Sequence, residues 1–363
     1  MTPEQKILCA IARKKNDGLP VDIGFSNEET KRQYAAAFHM SEEEFSAYVG
    51  SNDFQPLYLM EDIFCFLKNQ RLVEFAVENG FAFPAPDRNL VYDRWGVGWE
   101  LAGGYGQRPV VHPLDTIEAL RNYQPPDLNI PGMFYQAEQQ LNKLKQAGFA
   151  TRIAQFLSLF EKAWVLMGYE NFFIHYHEHR QAVESLLDKI TEYRVAMAGK
   201  IVTYDITCGH TGDDYGLQTG PAMSLAMWRE LFKPRLARIW SVYKKHRIPV
   251  MHHSCGDCRM FLEDMIEIGL DVLHPVQASA MPIEDLQQKF GSRLTFYGGI
   301  DCQDVLQKGS PDDVRDNVRK TVEILGQNNG LILGALNIMP DMPKANIEAL
   351  LESVHSYKTH RSQ

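Results

Sequence analysis

A histidine and a cysteine stand two residues apart at the end of the segment IPVMHHSC, residues 248–255. This segment begins with an apolar run of the kind that forms buried strands. Side chains two apart on a strand point to the same face of the sheet, so we expect His253 and Cys255 to converge. Imidazole and thiolate are ligands that Zn²⁺ takes in catalytic sites, where one position stays open for substrate. The spacing alone also fits a buried cysteine beside a hydrogen-bonded histidine.

Polar side chains also follow other predicted strands. Asp213, Asp214 and Tyr215 lie in the glycine-bracketed segment GHTGDDYG, where the backbone can approach a ligand closely. One of the two aspartates could act as a general acid or as a further metal ligand, and the like charge of its neighbour would shift its pKa. A turn with solvated aspartates is the alternative. Gln277 ends DVLHPVQ and Asp301 ends LTFYGGID, at equivalent positions.

Two further residues are candidates. Glu161 lies in FEKAWVLMGYEN, where the spacing is compatible with entry from a strand into a helix, although a surface glutamate is the default interpretation. Cys258 forms a CxxC motif with Cys255, but the second CxxC of a structural zinc site is missing. We predict catalytic roles for Asp213, Asp214 and Asp301, and substrate binding by Tyr215, Gln277 and Glu161.

The elements that must position these residues alternate between strands and helices, which is typical of a parallel sheet. The predicted strands cover residues 21–25, 150–160, 204–210, 248–255, 271–277, 294–301 and 331–338. Residues 30–135 are less regular and look like an insertion. Ser310 before Pro311 predicts the start of a helix. In a (β/α) barrel, the carboxyl ends of the strands face the active site.

Composition excludes several classes of protein. The formal charge is −9, and no basic run with interleaved aromatic residues is present, so we expect no nucleic-acid partner. No segment approaches the roughly 18 uninterrupted apolar residues of a membrane span, and we expect a cytoplasmic protein. Six cysteines are too sparse for a disulfide framework. The glycine-rich phosphate loops, the GxSxG elbow and the HExxH helix are all missing.

Several segments occur in an order that resembles a known superfamily. They are GDDYGLQTGPAMSLAMWRELFKPRLARIW, HHSCGD, IEIGLDVLHPVQ, GSRLTFYGGIDCQDVL and NIMPDMPKANIEAL. Together they resemble the uroporphyrinogen decarboxylase superfamily, and particularly its cobalamin-dependent methyltransferases. This resemblance implies a (β/α)8 TIM-type barrel. We therefore expect one domain over residues 1–363, with residues 30–135 as an N-terminal elaboration.

The same resemblance implies a zinc methyltransferase in which His253 and Cys255 match the HxC motif. A corrinoid would be supplied by a partner protein, and the other substrate would be a small methyl donor or acceptor. In the relatives a further ligand comes from the last strand, where this chain has Leu336, which cannot bind a metal. The third ligand must then come from elsewhere, and the candidates are Asp213, Asp214, Glu161, Cys258 and Asp301.

The substrate and two alternatives stay open. A methoxylated aromatic, as in an O-demethylase, could bind in a pocket formed by Trp95, Trp99 and Tyr105. The first alternative is a metal-free, decarboxylase-like lyase acting on a carboxylated ring. Against it, the first 60 residues show nothing like the arginine-containing motif with which the decarboxylases handle propionate side chains. The second alternative is a binding barrel that has lost its metal and catalyses nothing.

Overall fold

Eight parallel strands form a nearly closed barrel in the computed structural model, which describes residues 1–50, 52–65, 69–86, 89–100 and 108–359. The strands, in chain order, are β1 (Val21–Phe25), β2 (Phe54–Tyr58), β3 (Ala82–Pro84), β4 (Leu90–Asp93), β5 (Gly98–Glu100), β6 (Arg108–Val111), β7 (Ala150–Gln155), β8 (Cys208–Gly212), β9 (Gly216–Leu217), β10 (Gly220–Pro221), β11 (Val250–His253), β12 (Val272–Val276), β13 (Thr295–Gly299) and β14 (Leu331–Ile338). The helices are α1 (Pro3–Ile11), α2 (Glu28–Ala37), α3 (Glu42–Val49), α4 (Gln70–Glu78), α5 (Ile117–Asn122), α6 (Tyr135–Gln146), α7 (Phe160–Met167), α8 (Tyr169–Glu178), α9 (Arg180–Ile201), α10 (Leu225–Leu231), α11 (Lys233–Lys245), α12 (Leu262–Glu267), α13 (Ile283–Phe290), α14 (Val305–Lys308), α15 (Pro311–Leu325) and α16 (Lys344–Thr359).

The barrel strands follow the order β1-β14-β13-β12-β11-β8-β7-β2. Every neighbouring pair in this order is parallel. Loop residues link β1 and β2 where the ring closes: the Asp53 amide donates to the Val21 carbonyl at 3.2 Å, and the Ile23 amide donates to Oδ1 of Asn52 at 2.8 Å. The predicted (β/α)8 barrel is therefore confirmed.

The first helix covers the amino-terminal end of the barrel. Ile7 and Ala10 of α1 are fully buried and share an apolar cluster with inward-facing residues such as Phe54 and Met251. Oγ1 of Thr295, at the start of β13, donates to the Ala10 carbonyl at 2.9 Å. Because α1 fills this end, ligands are expected at the opposite, carboxyl end of the strands.

Residues 30–135 are more regular than we expected, because they contain the barrel strand β2. The sequence of β2 is FQPLY, and Pro56 interrupts the apolar pattern that would have identified a strand. The same region forms an antiparallel sheet in the order β3-β4-β5-β6. Residues of this sheet, such as Val91 and Trp99, belong to the hydrophobic core that also includes the barrel. This shared core supports our proposal of one domain with an N-terminal elaboration.

The predicted strands of the C-terminal half correspond to β8, β11, β12, β13 and β14, and the segment VDIGF is β1. Ser310 caps α15, with Pro311 in its first turn, as predicted. The strand predicted over residues 150–160 is shorter, because β7 ends at Gln155 and α7 begins at Phe160. Among the described helices, none has the length and apolar character needed to cross a membrane.

Candidate metal centre and substrate cavity

The ends of two neighbouring strands bring a carboxylate, an imidazole and a thiol together. β8 and β11 pair with Gly212 opposite His253, so Asp214 and Cys255 follow at the same edge of the barrel. Sγ of Cys255 lies 3.4 Å from Nε2 of His253, which lies 3.5 Å from Oδ1 of Asp214. One ligand atom from each residue lies within 4.8 Å of the others. Within the described ranges, no other group of three His, Cys, Asp or Glu side chains converges in this way.

These three residues, which we call the Asp–His–Cys triad, have the donor chemistry of a zinc site. Zn²⁺ takes carboxylate oxygen, imidazole nitrogen and thiolate sulfur. The side chains of His253 and Asp214 remain 23% and 39% exposed, so the triad is open on one side. Three protein ligands with one open position are characteristic of catalytic zinc sites, whereas structural sites are closed by four. The triad therefore fits a catalytic zinc ion.

Neighbouring groups hold the triad in its orientation. Nδ1 of His253 lies 3.0 Å from Nδ1 of His274, so Nε2 of His253 is the ring atom that faces Cys255. Metal-binding histidines are commonly oriented by a hydrogen bond on the second ring nitrogen. The backbone amide of Cys255 donates to Oδ1 of Asp214 at 2.7 Å. Both contacts prearrange the ligand atoms.

The charges within the triad suit a cation. Burial alone would raise the pKa of Asp214. The hydrogen bond from His253, the positive charge of His253 and the backbone amide of Cys255 together lower this pKa below its ordinary value. Asp214 is therefore ionised at neutral pH, as a metal ligand must be. Burial alone would lower the pKa of His253, but the adjacent Cys255 and Asp214 raise it well above its ordinary value. The site thus favours positive charge.

The neighbouring aspartate lies outside the triad. Asp213 is fully buried, and its carboxylate accepts hydrogen bonds from the backbone amides of Leu159 and Glu161 and from the hydroxyl of Tyr215. These amides belong to the start of α7, so Asp213 fixes the first turn of that helix. Burial raises the pKa of Asp213 to about 7, against the opposing effect of the amides. The structure places this residue as a support for α7, away from the open side of the triad.

Glu161 is the third carboxylate of this region. It lies in the first turn of α7, with its backbone held by Asp213 and its side chain partly buried. Burial raises its pKa well above the ordinary value, and the charges of Asp214 and Asp213 add to the effect. Glu161 therefore takes up a proton more readily than an ordinary glutamate, whereas the neighbouring Asp214 has a lowered pKa.

Tyr215, a predicted substrate-binding residue, has no exposed surface. Its ring stacks on His252 and Phe160 at centroid distances of 5.7 and 5.9 Å, and its hydroxyl donates to Asp213. The structure places Tyr215 in the core behind the triad, where it supports Asp213.

A cavity adjoins the triad at Cys255. It encloses about 670 Å³, part of which is open to solvent, at the ends of β12, β13 and β14. Gln277 and Asp301, both predicted site residues, line this cavity, and Leu336 forms part of its apolar wall. Cys258 is fully buried instead, with its sulfur 3.8 Å from that of Met281. Of the candidates for the third ligand, Asp214 is the one that the structure brings to His253 and Cys255.

Three residues near the site were missed in the sequence. Gln218 and Cys302 line the cavity, and His274 orients His253. His274 lies in the middle of β12, where its pairing with His253 could not be read from the sequence, whereas Cys302 directly follows Asp301 and could have been identified by its position. Gln218 lies between two short strands, β9 and β10, where the sequence pattern carries no signal.

The aromatic pocket expected in the N-terminal region is not seen at Trp95 and Trp99. Both are buried, and Nε1 of Trp99 donates to Oδ2 of Asp93 at 3.0 Å. Their rings pack in the core between the antiparallel sheet and the barrel. Tyr105, the third residue of that expectation, lies outside the described residues.

Comparisons with known proteins agree with this fold. A methyltransferase from Methanosarcina mazei superposes with a TM-score of 0.66 over 98% of this chain and 99% of that chain, at 16% identity, which shows a common fold. A uroporphyrinogen decarboxylase from Xanthomonas euvesicatoria pv. vesicatoria (strain 85-10) is 28% identical over 148 residues, 38% of this chain. The match spans 40% of that relative's length. The family model for uroporphyrinogen decarboxylase (URO-D) matches residues 53–357, and the chain therefore belongs to this family.

Proposed function

We propose that this chain is a zinc-dependent methyltransferase that moves a methyl group between a small substrate and the cobalt of a corrinoid carried by a separate protein. The observation that carries the proposal is the Asp–His–Cys triad at the mouth of a URO-D family barrel. The solved methyltransferase that shares this fold over nearly the full length of both chains is consistent with it.

Asp214, His253 and Cys255 are the residues that would hold the metal. Bound zinc supplies Lewis acidity, which lowers the pKa of a thiol acceptor or polarises the substrate atom that bears the methyl group. His274 keeps Nε2 of His253 directed at the site. Asp214 replaces the ligand that the relatives take from the last strand, where Leu336 stands here.

Glu161 is the acid in this proposal. A methyl group that leaves an ether oxygen leaves its bonding electron pair on that atom, and the alkoxide or phenoxide then takes a proton from a nearby donor. A methylated ammonium group leaves as a neutral amine and needs no such proton, so the acid serves an ether substrate. The raised pKa of Glu161 favours its protonated form, and Asp213 fixes its backbone at the start of α7. Asp214 is ionised and cannot take this role. The sequence placed the acid at Asp213 or Asp214, so the proposal moves it to Glu161.

The decarboxylase-like alternative is less consistent with the cavity. A substrate with several carboxylates needs positive side chains to replace the water around each charge. Within the described part of the chain, no Lys or Arg lines the cavity at Cys255.

The first test is the metal content of the purified protein and of two cysteine variants. We expect about one zinc per chain in the wild type and none in Cys255→Ser, because that thiolate is one of three ligands. Cys258→Ala is the matched control, since Cys258 lies three residues away but packs against Met281. It should retain its zinc. Zinc in Cys255→Ser, or none in wild type after zinc is supplied, would contradict the proposed centre.

The second test is methyl transfer to free cob(I)alamin, followed by its absorbance change, with a panel of methyl ethers, methylamines and methyl thioethers. The zinc-loaded wild type should react with at least one class of donor, and Cys255→Ser with none. A zinc-loaded protein that binds donors and transfers nothing would leave the non-catalytic binding barrel as the better description.

A further inference from the structure

The cavity beside Cys255 has an unbalanced charge. Of the residues that the structure describes, fifteen line it, and none of these is Lys, Arg or His. Asp301 is the one acidic residue among them. An anion that entered this cavity would lose its water without meeting a counter-charge, which is strongly unfavourable. A cation would meet a carboxylate.

The basic residues nearest to these loops are already paired outside the cavity. Nη2 of Arg259 lies 2.8 Å from Oδ2 of Asp257, and its Nη1 lies 2.9 Å from Oδ2 of Asp285. Nζ of Lys308 lies 2.7 Å from Oδ1 of Asp304, and its side chain is 70% exposed. Neither side chain lines the cavity, although Asp304 and, less strongly, the charge of Asp301 raise the pKa of Lys308 at its outer edge.

The Asp301 carboxylate is held in place by one of its oxygens. Oδ1 accepts the backbone amides of Gln303 and Asp304, both at 2.9 Å, which fixes the turn after β13. Oδ2 has no hydrogen-bond partner among the described residues. A carboxylate with a fixed orientation and one unused oxygen can bind a ligand without first losing an internal contact.

Three glutamines form a row along the polar side of the cavity. Oε1 of Gln277 accepts the backbone amide of Gly256 at 2.9 Å, so the Gln277 amide group must point the other way. Its Nε2 donates to Oε1 of Gln218 at 2.9 Å and to Oε1 of Gln303 at 3.1 Å. These side chains are dipoles without net charge, so they can bind a neutral oxygen but cannot neutralise an anion.

The opposite wall is aliphatic. Val276, Ile300 and Leu336 face the cavity together with Pro275, and no aromatic side chain from the described ranges lines it. Methyl groups pack well on such a surface, and an aromatic ring would find no partner for stacking. The cavity therefore combines a surface for methyl groups with one carboxylate.

We propose that this cavity binds a small organic cation, such as a methylated ammonium group, and that Asp301 selects it over an anion. That the cation is a methyl donor rests on the proposed function. That the cavity binds a cation rests on its lining residues alone.

Three probes of nearly equal size test the charge preference: tetramethylammonium, tert-butanol and pivalate. Each is titrated by calorimetry into the full-length protein, with zinc and again with a chelator, because pivalate can bind zinc directly. In the chelated protein we expect tetramethylammonium to bind at least about tenfold more tightly than pivalate and more tightly than tert-butanol. Pivalate or tert-butanol binding as tightly as tetramethylammonium, or no binding of tetramethylammonium, would overturn the proposal.

Two matched variants locate the selecting charge. Asp301→Asn keeps the oxygen that caps the turn and should weaken tetramethylammonium binding about threefold to tenfold, with tert-butanol unchanged. Asp304→Asn removes the same charge from the same loop at a position that does not line the cavity, and should change neither affinity. Equal effects in the two variants would show a general charge effect and overturn the assignment to Asp301.

The ligand titrations test the inferred substrate class, and the metal analysis tests the proposed function, so one claim can be overturned while the other survives. A chain without zinc or methyl transfer could still prefer the cation, and the substrate inference would then survive the loss of the proposed function. A zinc enzyme whose cavity prefers pivalate would keep the proposed function and exclude the inferred substrate class.

Discussion

Two clusters of ionisable residues contact Phe156. In one cluster the polar atoms bond to each other in the core, and in the other they stay partly exposed. The buried cluster contains Glu61, Tyr193 and Arg194. Nη1 of Arg194 lies 2.7 Å from Oε1 of Glu61, and both side chains have no exposed surface. The hydroxyl of Tyr193 donates to the second oxygen of Glu61. The other cluster, the Asp–His–Cys triad, is partly exposed, and its ligand atoms converge on a common point.

The difference separates a cluster whose polar atoms bond mainly to one another from one whose polar atoms stay partly exposed. Arg194 also donates to the carbonyls of Phe156 and Leu157 at 3.0 and 3.1 Å, so the buried cluster fixes the chain between β7 and α7. The ring of Phe156 packs edge-on against His253 at 5.7 Å. The buried cluster thus pairs Glu61 with Arg194 and Tyr193 and reaches the triad through Phe156, whereas the triad is partly exposed.

Removing the cation of the buried cluster should have the largest effect on stability. In Arg194→Met the Glu61 carboxylate keeps its burial but loses its ion pair, which should lower the free energy of unfolding by about 3–5 kcal/mol. Urea denaturation followed by circular dichroism measures this loss.

The double variant Glu61→Gln, Arg194→Met is the control, because it removes both charges. We expect it to be more stable than Arg194→Met alone, since no buried charge is left unpaired. A loss below about 1 kcal/mol in Arg194→Met would mean that the pair contributes no more than a surface ion pair.

Asp62, which adjoins the buried cluster and is fully buried, should also make stability depend on pH. Burial raises its pKa to about 7, the adjacent Glu61 adds to this, and Arg194 opposes it. A carboxyl group whose pKa is higher in the folded than in the unfolded state stabilises the fold at low pH. This contribution is lost as pH rises from about 4 to about 7.

Asp62→Asn removes that titration. We expect the free energy of unfolding of the wild type to fall more steeply between about pH 4 and about pH 7 than that of the variant, by on the order of 3 kcal/mol. Urea titrations at both pH values measure the difference. The slope that remains in the variant reflects other buried acids with raised pKa values, such as Asp213. Identical slopes would show that Asp62 is ionised in the folded protein.

Much of the barrel could be predicted because its C-terminal strands are short apolar runs between clear helices. β2 was missed because Pro56 breaks its pattern, although the strand pairs with β7 along its whole length. The convergence of His253 and Cys255 followed from strand periodicity. The separate surroundings of Asp213 and Asp214 could not be predicted, because adjacent residues beyond a strand end can face different partners, and those partners come from α7 and β11.

Substitutions of the neighbouring residues Asp213 and Asp214 should have the smallest effects on stability. Asp213→Asn replaces an oxygen that accepts amides at the start of α7 by a donor, and should cost about 1–2 kcal/mol while zinc is retained. Asp214→Asn should cost the chelated protein about 1 kcal/mol or less, since Asn keeps an oxygen for the Cys255 amide and the lost pair with His253 is partly exposed. It should nevertheless lose zinc on dialysis.

Two measurements on the same two variants distinguish the roles of Asp213 and Asp214. Urea denaturation with a chelator compares the stabilities of the variants, and elemental analysis without a chelator compares their zinc contents. If Asp213→Asn lost zinc and Asp214→Asn kept it, Asp213 would be the metal ligand and Asp214 would have only a structural role. If Asp214→Asn kept its zinc and lost methyl transfer, Asp214 would be the acid and the third ligand would have to be sought elsewhere. Full retention of zinc and activity in Asp214→Asn would leave His253 and Cys255 as the only protein ligands of the triad, too few for a catalytic zinc site.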